Sequence, residues 1–219
     1  MPIEESVREP RQPRVVEYGP LASMLDHLPA GAAPHAREAL LRACSTTGIR
    51  VDDVIVGARS VVATHDPGLG PVIRDIMHDV LRHSESDYTS ESTPAVEIAV
   101  RYDGIDLDDV ARRCDMTTDA VIELHTKTEF VVEFCGFSPG FAYLAGLPSA
   151  LVLPRRATPR TRVPAGSVAI AAQYSAVYPR ESPGGWHLLG TTDHLLWDEH
   201  RRPPATLQPG TRIRFVVAS

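Results

Sequence analysis

The hydrophobic pattern changes character part-way along the 219-residue chain. Residues 14–18 (RVVEY) predict a short strand. Ala36, Ala39, Leu40 and Ala43 then recur at helical spacing. Pro34 suits the first turn of that helix and Gly48 its C-terminal stop. Two strand-like runs follow, IRVDDVIV at 49–56 and RSVVATH at 59–65, the second broken by Asp66-Pro67-Gly68. Val72, Ile73, Ile76, Met77, Val80 and Leu81 predict a second amphipathic helix. The order β-α-β-β-α fits a small α+β domain of split-βαβ, ferredoxin-like type.

The segment SESDYTSESTP at 84–94 is polar and ends in proline, which places a domain boundary there. This reading gives a charged, proline-rich, disordered tail at 1–13, an α+β domain at 14–90 and a second domain at 91–219. The second domain opens with an alternating strand, AVEIAVRYDG at 95–104. Asp106 is expected to cap a short helix carrying Leu107, Val110, Ala111 and Cys114. A further helix begins near Thr117 or Thr118 and carries Ala120, Val121 and Leu124. After about Glu129 short apolar runs (FVVEF, SVAIAAQ, WHLLG, RIRFVV) alternate closely with Pro and Gly, the pattern of a β-sandwich or barrel.

Composition narrows the function. The formal charge of -6 argues against non-specific nucleic-acid binding. No run of about 18 apolar residues is present, so no membrane span is expected, and the charged N-terminus has no apolar signal core, so a cytoplasmic location is expected. Cys44, Cys114 and Cys135 are far apart and form no metal pattern. The nine histidines show no HExxH spacing, so no metal site is expected. There is no Walker-type phosphate loop and no GxSxG.

Two features invite a ligand. Residues 134–180 contain no Asp or Glu, although 28 of 219 residues are acidic and about six would fall there by composition. The same window holds Arg155, Arg156, Arg160, Arg162 and Arg180. Arginine is the side chain suited to bidentate contact with carboxylate or phosphate; the alternative is a set of solvated loop residues. Near its start stands GFSPGF, 136–141. Gly136 and Gly140 permit backbone geometry closed to other residues, Pro139 stiffens the turn, and Phe137, Phe141 and Tyr143 offer rigid apolar walls. A tight turn anchored by core aromatics is the plainer reading. YPRESPGGWHLLG at 178–190 has the same texture and reads as a hairpin turn. Ser138 and Ser167 lie in glycine-rich contexts, and His125 and His187 are the candidate acid–base groups.

Three blocks, GFSPGFAYLAGLP at 136–148, PRRATPRTRVPAGSVAIA at 154–171 and YPRESPGGWHLLGTT at 178–192, resemble the signatures of one family, the B-type subunit of 5-oxoprolinase, also called allophanate hydrolase subunit 1. The segment 106–126 and the closing PGTRIRFV are similar to it as well. The first 90 residues match less: Val56-Gly57-Ala58-Arg59-Ser60 lacks the family's proline, and Gly190-Thr191-Thr192 stands where the family has Gly-Arg-Thr.

The resemblance implies a cyclophilin-like β-barrel after the α+β domain. It implies ATP-dependent opening of 5-oxoproline to glutamate, carried out with two sister subunits of 5-oxoprolinase, the C-type (allophanate hydrolase subunit 2-like) and the A-type. ATP with Mg would bind at the level of the complex, with no bound cofactor in this chain. The implied ligand-binding set for a small anionic substrate is Phe137, Pro139, Gly140, Phe141, Tyr143, Arg155, Arg156, Arg160, Pro164, Gly166, Ser167, Tyr178, Gly184, Gly185 and Trp186. Two other roles known in the family stay open: inhibition of a histidine kinase, and a carboxyltransferase or allophanate hydrolase component of a urea-degrading system.

Overall fold

The computed structural model describes residues 12–83 and 95–218. The chain divides into two compact units, 1–89 and 90–219. The expected tail at 1–13 falls almost wholly outside the described residues, as does the boundary at 84–94.

The N-terminal unit is a four-stranded antiparallel sheet carrying two helices. Its elements are β1 (Arg14–Glu17), β2 (Ala22–Asp26), α1 (Ala32–Thr47), β3 (Asp53–Val56), β4 (Val61–Thr64) and α2 (Gly70–His83). The sheet order is β1-β2-β4-β3. The expected order β-α-β-β-α is therefore corrected: Ala22–Asp26 forms an additional strand, which pairs with β1 on one side and β4 on the other. Because β4 is antiparallel to both β2 and β3, those two run parallel with β4 between them, and α1 joins them. The helices bury Ala36, Leu40 and Cys44 from α1, and Ile73, Ile76, Met77 and Val80 from α2. Gly48 ends α1 in the left-handed region, φ 70, as the sequence requires.

The second unit contains β5 (Val96–Val100), α3 (Leu107–Arg113), α4 (Thr118–Lys127), β6 (Glu129–Cys135), β7 (Ala142–Ala145), β8 (Arg160–Val163), β9 (Ser167–Ala171), β10 (Tyr174–Val177), β11 (Ser182–Gly184), β12 (His187–Thr191) and β13 (Arg212–Val217). Seven strands form one sheet in the order β12-β9-β10-β7-β6-β13-β5. Its two edges come together: Arg101, just past β5, exchanges both backbone hydrogen bonds with Thr191 at the end of β12, at 2.8 and 2.7 Å. The sheet is thus curled into a nearly closed barrel. Two glycines permit the seam. A Cβ on Gly190 would stand 2.2 Å from the Arg101 carbonyl oxygen, and one on Gly104 would stand 2.3 Å from that of Leu188.

Strand alternation sorts the side chains into two layers. Val100, Phe130, Val132, Leu144, Val168, Ile170, Ile213 and Phe215 fill the interior, packed with Val110, Ala111 and Val121 from the two helices. Phe141, Ala169, Ala171, Ala176, Tyr178 and Leu188 form a second cluster on the outer face of the sheet. A separate two-stranded ribbon, β8 with β11, contributes Val163 to that outer cluster. Ser182–Gly184 is thereby a strand paired with β8, not the hairpin turn read from its Pro-Gly-Gly sequence.

Candidate functional site

The GFSPGF loop joins β6 to β7 and is tied internally. Gly136 N–H donates to Phe141 O at 3.1 Å, and Phe141 N–H donates to Ser138 O at 3.0 Å. The left-handed backbone falls on Phe137 (φ 72) and Gly140 (φ 80). Gly136, expected to supply such freedom, does not use it. Gly140 has a second reason to be glycine: a Cβ there would press on Trp197 Cβ at 2.9 Å. Phe137 is 61% exposed despite the cost of that backbone conformation for a bulky side chain.

Behind this loop, aromatic rings tile the outer face of the barrel. Phe134 stacks on Tyr143 with centroids 4.1 Å apart. Phe141 meets Phe137, Tyr143, Tyr178 and Trp186 edge-on at 5.1 to 5.7 Å. Trp186 also meets Tyr143, at 5.7 Å. The Arg155 guanidinium stands 6.0 Å from the Trp186 ring centre, within reach of a cation–π contact. The three blocks singled out in the sequence thus converge on one aromatic layer: Phe137, Phe141 and Tyr143 from the first, Arg155 from the second, Tyr178 and Trp186 from the third, with Phe141, Tyr178 and Trp186 buried and Phe137 and Arg155 exposed over them. Burial raises the Tyr178 phenol, and the backbone of Trp186 and the charge of Arg155 offset this only in part. Gly184 makes room for it, since a Cβ would lie 2.2 Å from the Tyr178 hydroxyl.

The other two candidate arginines turn to a single carboxylate. Arg156 Nη1 and Arg160 Nη2 both donate to Asp106 Oδ1, at 2.8 and 2.7 Å, and Leu188 N–H donates to Oδ2 at 2.8 Å. Asp106 is 3% exposed. Burial works to raise its pKa, but the hydrogen bonds from Arg160 and Leu188 and the charges of Arg160 and Arg156 outweigh it and hold the carboxyl below its usual range. The expected capping role is corrected here: the Asp106 side chain makes no cap hydrogen bond to α3. Thr117 does cap α4, accepting from Ala120 N–H at 3.1 Å. Arg162 pairs with Glu181, just outside the acid-free window.

Both candidate histidines are fully buried. His125 lies in the interior layer, stacked on Phe215 at 4.5 Å. Its Nδ1 is 2.8 Å from the Tyr102 hydroxyl and its Nε2 is 3.0 Å from Ser175 Oγ. Ser175 Oγ–H in turn donates to Ala169 O. The consistent assignment has Tyr102 O–H donating to Nδ1 and Nε2–H donating to Ser175. Burial pushes the His125 pKa down to about 3, so the ring is neutral and has no exposed face. His187 Nε2 is 2.9 Å from Pro154 O and donates to it, while Nδ1 is buried without a hydrogen-bond partner.

The smaller members of the set are packing positions. A Cβ on Gly166 would meet Thr192 O at 2.3 Å, Ser167 Oγ–H donates to Pro164 O at 2.8 Å, and Gly185 O accepts from Arg156 N–H at 2.8 Å. Pro139 is exposed in the loop. Sequence reasoning passes over one further pair on the outer face, Glu133 and Tyr174. The buried Glu133 carboxylate accepts from the Tyr174 hydroxyl at 2.6 Å, and the phenol is pushed up to about 12 by burial and by that carboxylate. The N-terminal unit holds an open cavity of about 500 Å³, lined by Tyr18, Leu21, Asp52, His65 and Asp66 among others, none of them in the three blocks.

Comparison with known proteins places this geometry. The family described as carboxyltransferase domain, subdomain C and D, matches residues 22–207. The chain belongs to that family. Within it, the resemblance read from the three blocks holds. The chain is 47% identical over 135 residues to the B-type subunit of 5-oxoprolinase from Escherichia coli O157:H7, 46% identical over 125 residues to that of Haemophilus influenzae and 42% identical over 127 residues to that of Bacillus subtilis. These matches cover 60%, 56% and 57% of this chain, and 62%, 59% and 53% of the relatives' own length. Among solved structures, TTHA0988 superposes with a TM-score of 0.73 at 35% identity, over 95% of this chain and 40% of that one. The Kluyveromyces lactis urea carboxylase superposes with a TM-score of 0.64 over 94% of this chain and 22% of that one. At 16% identity this is a likeness of fold alone. No helix among the described residues of this carboxyltransferase-domain chain is long and apolar enough to cross a membrane.

Proposed function

We propose that this chain is one subunit of an ATP-dependent 5-oxoprolinase, working with the C-type and A-type sister subunits in the cytoplasm. The observation that carries the reading is the convergence of three separate sequence blocks on one aromatic surface with a guanidinium beside it. 5-Oxoproline is a small flat lactam bearing one carboxylate. Arg155 offers that carboxylate a planar pair of donors, and the exposed Phe137 and half-buried Tyr143 offer the ring apolar contacts above the buried Trp186.

A lactam is a poor electrophile. Transfer of the ATP γ-phosphoryl group to its oxygen, with ADP leaving, would make the ring carbon electrophilic; one water adds there and the C–N bond breaks to give the side-chain acyl phosphate of glutamate, and a second water hydrolyses that to glutamate and phosphate. This chain's contribution is to bind and orient the substrate and to exclude bulk water around it. ATP with Mg would bind at the level of the complex.

The barrel unit is read as cyclophilin-like. The N-terminal unit is read as a split-βαβ sheet whose edge strand, β1, comes from before the unit rather than after it; the antiparallel β1–β2 pairing and the parallel β2 and β3 support this.

A second reading, a carboxyltransferase component served by a biotin carrier, is favoured by the family match. Co-purification with the sister subunits, followed by ATP hydrolysis with 5-oxoproline or with urea and a biotinylated carrier, separates the two.

A further inference from the structure

The segment 153–156 is pinned at almost every residue. Leu153 O accepts from Ala172 N–H at 2.7 Å. Pro154 O accepts from His187 Nε2–H at 2.9 Å. Arg156 N–H donates to Gly185 O at 2.8 Å, and the Arg156 side chain is held by Asp106. Asp106 is itself locked to β12 through Leu188, by its backbone N–H and by its carboxylate. Arg155 sits in the middle of this run. The residue is exposed, and among the described residues it has no carboxylate partner. Its guanidinium faces the Trp186 ring.

We infer that Asp106 and His187 are positioning residues: they immobilise residues 154 and 156 so that Arg155 stands over Trp186 as the one guanidinium of the three available to a ligand carboxylate. Charge supports the division of labour. Asp106 offsets one of the two guanidinium charges it binds, and both of those side chains have their outer geometry set by it. Each also keeps one covered nitrogen, Arg156 Nε and Arg160 Nη1, with no hydrogen-bond partner. A monocarboxylate therefore meets a single fork of donors at Arg155, which the buried Trp186 supports from beneath, with its apolar body against Tyr143 and Phe137. Inorganic phosphate has no apolar body to set against Tyr143 and Phe137 and gains nothing from that part of the layer.

This inference rests on the proposed 5-oxoproline site, and its test keeps the two separable. In a Trp197→Phe background Trp186 is the only tryptophan, so its fluorescence reports on the Arg155 contact. The full chain, alone and assembled with its sister subunits, is titrated with 5-oxoproline, acetate and inorganic phosphate at constant ionic strength. The expected result is saturable change with 5-oxoproline, weaker change with acetate and none with phosphate. Arg155→Ala should weaken the response by about a hundredfold. Asp106→Asn and His187→Leu should weaken it on the order of tenfold to a hundredfold while leaving the circular dichroism spectrum intact. His187→Gln, which keeps a donor toward Pro154, should restore most of it.

If Asp106→Asn fails to fold, Arg160→Lys loosens the same clasp while keeping the charge, and should also weaken binding. Wild-type affinity in Asp106→Asn, His187→Leu or Arg160→Lys overturns the positioning role. Wild-type response in Arg155→Ala, or no response of the wild type to any carboxylate in either state, overturns the carboxylate assignment. Carboxylate binding that follows this pattern without 5-oxoproline turnover keeps the inference and removes the 5-oxoprolinase reading. A kcat/KM for 5-oxoproline turnover left at the wild-type value by Arg155→Ala does the reverse.

Discussion

Arg160 Nη2 donates to Asp106 Oδ1 at 2.7 Å across a separation of 54 residues, joining the ribbon strand β8 to the start of α3. Because Arg156 shares the same oxygen, removing the carboxylate strands two partly buried guanidinium groups. Asp106→Ala is expected to cost about 3 kcal/mol at pH 7. The pH dependence has a definite sign. The folded carboxyl titrates below its ordinary 3.8, so its stabilisation is present above that value and is lost as pH falls through the depressed folded value. Urea denaturation across a pH series should show a constant gap between wild type and Asp106→Asn above about pH 5, narrowing below about pH 4. A gap that widens on acidification would contradict the assignment.

His125 titrates with the same sign for a different reason, burial without a charged partner. Its folded pKa is about 3 and its unfolded value is the ordinary 6.5, so between these the unfolded chain binds the extra proton. Stability should therefore fall as pH drops from about 6.5, with a slope from this group of at most about 1.4 kcal/mol per pH unit. His125→Gln should flatten that part of the curve. Nitrogen NMR of the native imidazole should show a neutral ring protonated on Nε2 through pH 5; an imidazolium at pH 5 would refute the buried assignment.

The barrel seam depends on absent side chains. Gly190→Ala places a methyl group 2.2 Å from a backbone oxygen that cannot yield cheaply. The expected loss is about 3 kcal/mol by thermal or urea unfolding. Gly136→Ala is the control, since nothing lies within 4 Å of its Cβ and its φ is not left-handed. It should stay within about 0.5 kcal/mol of wild type.

Phe137 separates stability from function. Phe137→Gly relieves a left-handed backbone, worth about 1 kcal/mol, and loses an edge-to-face contact with Phe141 of similar size. Stability should change by less than about 1 kcal/mol. The KM for 5-oxoproline in the assembled enzyme should rise if the exposed ring lines the site, which steady-state kinetics will show.

Much of this architecture can be read from the chain. Helical spacing locates α1, α2 and α4, and the change of pattern near Glu129 coincides with the start of β6. The strand at Ala22–Asp26 escapes notice because ASMLD is short, lacks β-branched residues and alternates weakly. The site is legible in outline through its aromatic and arginine motifs. Its electrostatics are not. A window without acids measures charge along the chain, while the counter-charge for Arg156 and Arg160 arrives from Asp106, 50 and 54 residues upstream. Asp106 has the sequence context of a helix cap and nothing that announces a buried ion cluster. In the same way, no sequence pattern shows that both nitrogens of His125 are taken up in the core, or that the Glu133 carboxylate sits under Tyr174.

The most direct measurement is 5-oxoproline-dependent ATP hydrolysis by the purified chain, alone and reconstituted with the C-type and A-type subunits proposed as its partners. The account predicts no turnover by the chain alone and, in the complex, equal amounts of glutamate and phosphate, with kcat/KM lowered about tenfold to a hundredfold by Arg155→Ala, the loss of one charge-assisted hydrogen bond pair. Full turnover by the single chain, or an assembled complex whose ATP hydrolysis ignores 5-oxoproline, would contradict it.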